Sequence, residues 1–232
     1  MKALKFLIAA LAVVSCCNMS AQKFMNTEPA ERLFSFGLRL GVNTANRTFD
    51  KKYFQQWNVN SWGSGFDAGM VVNLNFRDYF TIQPGIFYES RSGNYAYAQD
   101  YFANGKTEKF TEMGHYRTYN LVIPVMASFR FNLSGNVRWI AEAGPYLQLK
   151  LKSTDNDKIQ VLRPQPNANS PVEADIARSH TYDAGLKIGT GFEFKRKYSI
   201  NLHYLAGFRE VWNAPCQGGR NKAWVATVGY EL

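Results

Sequence analysis

The sequence predicts an all-β fold: an eight-stranded antiparallel transmembrane β-barrel of up-and-down topology, with short periplasmic turns and long external loops. Three observations carry this expectation. Eight segments alternate apolar and polar residues with a period of two, as strands do when their two faces meet different surroundings. Each runs about 10–15 residues, whereas globular strands average about 5–6 and about 9–11 tilted residues cross the hydrocarbon of a bilayer. The links between the segments alternate short and long, the pattern of outer-membrane barrels.

Composition removes the competing classes. The 232 residues suffice for one domain. Seventeen Phe, 13 Tyr and 5 Trp exclude a disordered chain, and only 19% of residues are charged, which is low for a water-soluble surface. Beyond the first twenty-odd residues no apolar run approaches the ~20 residues of a spanning helix. The net charge of +9 is scattered, and Lys195-Arg196-Lys197 is its longest run, too short for a nucleic-acid stripe. The three cysteines, Cys16, Cys17 and Cys216, have neither zinc-site spacing nor a mature partner for a disulfide, and no cofactor motif is present.

The chain opens with Lys2 and Lys5 before an apolar core from Phe6 to Val14, the build of a secretory signal peptide. Cleavage after Ala21 divides the chain into a leader over 1–21, an N-terminal segment over 22–32 and a barrel over 33–232. A second route reads Val13-Val14-Ser15-Cys16 as similar to a lipobox, with Cys16 lipidated.

The strands follow in order. Phe34, Phe36, Leu38, Leu40 and Val42 alternate with Ser35, Gly37, Arg39 and Gly41. Phe66 to Phe76 carries apolar residues against Asp67, Gly69, Asn73 and Asn75. Phe80 to Tyr88 sets them against Thr81, Gln83, Gly85 and Glu89. Tyr119 to Phe131 opposes Asn120, Ser128 and Arg130, and Val137 to Leu151 opposes Arg138, Glu142, Gln148 and Lys150. Tyr182 to Phe194 faces Asp183, Gly185, Lys187, Gly191 and Glu193. Tyr198 to Phe208 faces Ser199, Asn201 and His203, with Arg209 next. Trp224 to Leu232 faces Thr227, Gly229 and Glu231. Arg77-Asp78, Asn132 to Asn136 and Lys195 to Lys197 are the tight turns. Residues 44–63, 91–116, 153–179 and 210–221 are the long loops, with Lys158 to Leu162 able to extend a hairpin above the membrane. Both ends of the barrel then lie on the periplasmic side, with Arg77, Asp78 and Arg196, while Tyr97 and Asn167 are external. Pro84, Pro124 and Pro145 fall inside strands and predict bulges or breaks in the ladder.

Several of these segments resemble the PorT-like outer-membrane β-barrel family of Bacteroidetes: Phe36 to Asn43, Gln83 to Ser90, Tyr119 to Phe131 with its internal Ile-Pro, Ala143-Gly144-Pro145-Tyr146-Leu147 and Asp183 to Phe194. The resemblance covers nearly the whole mature chain and implies an eight-stranded barrel in the outer membrane, with no catalytic set. The family's namesake serves a type IX secretion system.

An eight-stranded barrel is just wide enough for side chains to fill it. The inward set holds a candidate charge network of Arg39, Asp67, Glu89, Arg130, Arg138, Glu142, Asp183, Lys187 and Glu193, joined by Lys150, His203, Arg209 and Glu231. Both signs are present, so the charges can pair into a polar plug; a narrow pore for small solutes is the alternative. His115, His180 and His203 belong to no recognisable catalytic motif, and the expectation is a protein without catalysis or cofactor. Binding is expected at the loops, where Asn94 to Phe102 and Tyr53, Phe54, Trp57 and Trp62 are aromatic. Pro164 to Pro171 reads as a loop tip. Expected partners are outer-membrane lipid, the barrel-insertion machinery that reads an apolar final strand ending Tyr230-Glu231-Leu232, and an envelope protein or secretion system that the chain serves as an accessory.

Overall fold

The structure, a computed structural model, describes residues 24–47, 55–56, 62–103, 105–153, 158–162, 167, 170–213 and 218–232. The leader, Tyr53, Phe54, Trp57, Cys216 and most of the 164–171 tip lie outside the described residues. Eight strands form a ring: β1 (Phe34–Arg47), β2 (Gly63–Arg77), β3 (Phe80–Ala103), β4 (Lys106–Ser134), β5 (Val137–Ser153), β6 (Tyr182–Phe194), β7 (Tyr198–Trp212) and β8 (Gly218–Glu231). Each pairs antiparallel with its neighbour in sequence. β8 closes on β1 in unbroken register from Gly37↔Glu231 to Arg47↔Asn221. Closure leaves no unpaired edge, a requirement for a sheet in hydrocarbon.

The pleat sorts the residues by face. Leu40 is 62% exposed and Val42 65%, while Arg39 between Leu38 and Leu40 is 6% exposed. The barrel is thus apolar outside and largely polar inside, the inverse of a barrel made for water. Rings edge the apolar belt on both sides. Near the tight turns Phe76, Phe80 and Phe129 stand 5.0–6.0 Å apart in sequence, and Tyr198 meets Tyr230 at 5.5 Å. At the opposite edge Phe66, Tyr88 and Tyr119 meet at 5.8 and 6.1 Å, and Tyr204 meets Trp224 at 4.8 Å. From Phe80 to Tyr88 a strand needs about nine residues to pass between the two girdles, as expected for tilted strands crossing a bilayer.

One expectation needs correction. Residues 91–116 are not a loop. β3 and β4 stay paired from Ser90↔Tyr119 to Ala103↔Lys106, forming a long ribbon beyond the apolar belt. Its outward residues have no lipid to cover, so the alternation that marks a membrane strand fades there. The internal prolines break the ladder as expected, without shifting its register. Pairing stops between Pro84↔Val125 and Phe87↔Val122, then resumes in the same register. A proline removes one donor but adds no residue. The register shifts fall elsewhere, between Tyr119 and Asn120 and between Ala206 and Glu210, and beside the turns between Asn75 and Arg77 and between Asn132 and Ser134.

Beyond the belt, Lys158–Leu162 pairs with Ala174–Arg178 as a separate two-stranded sheet. Ser179 bridges to Trp212, fastening this sheet to β7. At the other end residues 24–33 fold back along the turns. Asp78 N–H donates to the Glu28 carbonyl at 3.1 Å, Asn26 donates to the Asp78 carboxylate at 3.0 Å, and Phe24 stacks on Phe131 at 5.0 Å.

Candidate functional site: a layered lumen and its rim

The lumen is filled in layers. Nearest the turns, the Arg138 guanidinium spans Glu193 and Asp78, with Nη1 3.2 Å from Asp78 Oδ1. Arg130 lies beside the same Glu193 at 3.4 Å and donates to Thr81 and to Asn75. Arg39 pairs with Glu231, which also accepts from Asn73 at 2.6 Å. Each of these charges has an opposite charge beside it, which offsets the cost of removing it from water. Between this layer and the turns the lumen opens into a vestibule of about 400 Å³.

In the middle, Glu142 accepts from Ser128 at 3.1 Å and meets His203 Nε2 at 2.7 Å. These three residue types suggest a hydrolase triad, but the geometry is wrong for one. The serine donates to the carboxylate instead of the imidazole, so the three do not stand in the serine–histidine–acid order of a triad. A void of about 10 Å³ beside His203 and Phe87 has room for about one water.

An apolar layer follows that the expectation of a polar plug omits. Val71, Phe87, Val122, Tyr146, Leu205 and Val225 point inward from six strands and pack together. Lys187 sets its ammonium 4.8 Å from the centre of the Phe87 ring. Cross-strand glycines make room for the inward rings. Gly69 faces Phe87 and Gly185 faces Tyr146, and a Cβ at either would lie 2.5–2.6 Å from the ring opposite. Much of the glycine in the inward set is therefore seating for large side chains.

Above this layer Asp67 and Glu89 are direct cross-strand partners, and both are fully buried. Arg91 Nε donates to Glu89 at 2.8 Å and Arg91 Nη1 to Gln148 at 2.6 Å; Gln148 in turn donates to Asn120 at 3.1 Å. Asp183 accepts from Asn221 at 2.9 Å. All nine candidate network residues are thus buried in the lumen, but they form separate groups along its axis. Arg91 and Asp78 complete two of these groups. Arg91 continues the inward phase of Gln83, Gly85, Phe87 and Glu89, and that phase could have identified it.

Past the membrane belt the barrel ends in an aromatic cap. Tyr95, Tyr116, Val211 and Trp212 are buried together with Ala177 of the two-stranded sheet, and Phe110 packs against them. The Arg47 guanidinium stands 4.0 Å over Tyr116 and 5.8 Å from Trp212. Val211 keeps the inward phase of Leu205 and Gly207, and Trp212 beside it is buried as well. Lys150 and Arg209 lie at this rim and are half-buried. Lys150 donates to Ser179 Oγ at 2.6 Å, and Arg209 covers the Tyr182 ring at 3.7 Å. Arg209 also bonds to His180 Nδ1 at 3.1 Å. Burial and the adjacent Arg209 hold His180 below the ordinary histidine pKa, so its neutral ring accepts that bond. His115 lies apart on the ribbon, bonded to Asn94 at 2.9 Å. The three histidines occupy three separate places, and among the described residues no cluster of metal-binding side chains occurs.

The chain is similar to several solved outer-membrane proteins. Neisserial surface protein A shares 12% identity over 85% of this chain and 97% of its own, with a TM-score of 0.43. OprG from Pseudomonas aeruginosa shares 11% over 90% and 99%, with a TM-score of 0.38. Ail of Yersinia pestis, solved with the heparin analogue sucrose octasulfate, shares 10% over 87% and 100%, with a TM-score of 0.36. No curated protein matches the chain. The family described as "Outer membrane protein beta-barrel domain" matches residues 20–213. The closed ring with its apolar outer belt agrees with that description, and the chain belongs to this family of the outer membrane.

Proposed function

We propose that the protein is a closed membrane scaffold that presents its ribbon end to a binding partner, without catalysis and without conduction. The observation that carries this reading is the double seal of the lumen, an apolar layer around Phe87 and an aromatic cap around Trp212. A barrel filled in this way has its free surface in the ribbon, which extends fourteen residue pairs from Ser90↔Tyr119 to Ala103↔Lys106. Met113 on this ribbon is 68% exposed, well beyond the lipid belt. The finer kinship with PorT-like barrels is supported by the strand sequences quoted above, and it makes an envelope protein or a secretion apparatus the partner class. The leader over 1–21, periplasmic turns, external ribbons and insertion by the barrel-insertion machinery belong to the same reading.

Two measurements test it. A photo-crosslinking residue at Tyr101 or Met113 should capture a discrete envelope partner in intact cells, and the same residue at Leu40 on the lipid face should not. Equal capture at all three positions, or none, would count against a partner at the ribbon. Cysteines placed at 97 and 167 in a variant lacking Cys216 should react with an impermeant reagent in intact cells. Reaction only after lysis would reverse the orientation.

A further inference from the structure

We propose that the vestibule at the turn end is a binding pocket for a phosphate-type oxyanion. It is a cavity of about 400 Å³, open to solvent and within the size range of small-ligand sites. Its walls are the N-terminal segment at Ala30–Arg32, the turn at Arg77–Asp78, the turn at Lys195–Lys197 and the end of β8. Its base is the Arg130–Arg138–Glu193 ion-pair layer.

The side-chain charge of the lining is unbalanced in one direction. All four carboxylate side chains of the lining are already engaged: Glu193 by Arg130 and Arg138, Asp78 by Arg138 and Arg196, Glu231 by Arg39, and Glu31 by Arg196 at 3.5 Å. Among the described residues Arg77 reaches only the Thr27 carbonyl, at 3.3 Å. Arg32, Lys195 and Lys197 line the same cavity with no carboxylate partner among the described residues. Several exposed cations gathered around the mouth of one cavity make a local positive potential that selects anions, and guanidinium forks match phosphate oxygens.

The backbone supplies a second, independent sign. Lys195 and Arg196 sit at φ of +52° and +57°, the two central positions of a tight turn closed by Lys197 N–H to the Phe194 carbonyl at 3.0 Å. Gly, Asn and Asp are the residues suited to both positions. Here two long cations occupy them, and the Arg196 guanidinium is drawn back over the cavity by Asp78 at 2.9 Å. Such a conformation, held where a simpler residue would fit, is characteristic of functional sites.

The test uses the refolded full chain and follows its thermal unfolding. In zwitterionic detergent, inorganic phosphate should raise the unfolding temperature above chloride at matched ionic strength. Lys195→Asn with Arg196→Gly supplies better turn residues, so it should fold and lose the phosphate-dependent rise. Arg32→Gln, outside the turn, should reduce the rise independently. A parallel measurement in phosphatidylcholine nanodiscs with and without phosphatidylglycerol identifies the source. A rise with phosphate in detergent means a free oxyanion. A rise only with the anionic lipid, lost in the variants, means a headgroup of the adjoining leaflet. No rise in either medium, or the same rise in wild type and variants, would overturn the pocket and leave the cations as surface charge.

Discussion

Phe87 on β3 and Gly69 on β2 are direct cross-strand partners, and the phenylalanine ring occupies the space where any other residue in place of Gly69 would put its Cβ. The pair shows how a narrow barrel closes its interior: one strand gives up a side chain so that its neighbour's ring can cross the lumen. Gly69→Val should therefore overpack the seal and destabilise the protein by about 1–3 kcal/mol. Denaturant unfolding of refolded protein measures the loss, and Phe87→Leu in the same chain should recover part of it. An unchanged midpoint in Gly69→Val would remove the close approach from the account.

The Arg138 guanidinium lies between two buried carboxylates, so truncating it leaves both without their shared partner. Arg138→Ala should cost about 3–5 kcal/mol, the range for breaking a buried pair from one side. Arg138→Met combined with Glu193→Gln should cost less than the sum of the two single changes. Additive losses would mean that the two side chains do not interact in the folded barrel.

Depth in the bilayer sets the cost of charge on the outer face. Val125 lies within one residue of the midpoint between the Tyr119 and Phe129 girdle positions of β4, while Leu121 is only two residues from Tyr119. Val125→Arg should destabilise by about 2–4 kcal/mol, and Leu121→Arg by about 0–1 kcal/mol. Unfolding in lipid vesicles gives the comparison. The opposite order would place the membrane midplane nearer the ribbon.

Much of the ring could be read from the sequence, because lipid and lumen impose opposite demands on adjacent residues. Leu38, Arg39 and Leu40 are enough to show it. The seal was hidden for the same reason. Val71, Phe87, Val122, Leu205 and Val225 occupy inward positions but are apolar, so a period-two pattern cannot separate them from their outward neighbours. The ribbon was hidden because no lipid belt meets it: one face packs under the aromatic cap through Tyr95 and Tyr116, and the rest needs only backbone pairing. The charged side chains were individually legible as inward-facing. Their grouping was not, since it depends on which strands register side by side.

Tyr230 packs on Tyr198 at the turn-end girdle and pairs with Leu38 across the closing seam. If its ring is also read by the insertion machinery, Tyr230→Ser should accumulate uninserted in the periplasm yet still refold in detergent, since the backbone bonds to β1 remain. Fractionation and a refolding assay separate the two roles. Normal insertion in cells would leave the ring with packing alone.

The central claim is that the lumen is closed, and planar-bilayer recording tests it most directly. Wild-type protein, shown by heat-modifiable mobility to be folded, should incorporate without steady current steps across a range of voltages. Sustained open channels from that same folded preparation would contradict the seal at Phe87 and Trp212 and restore the narrow pore.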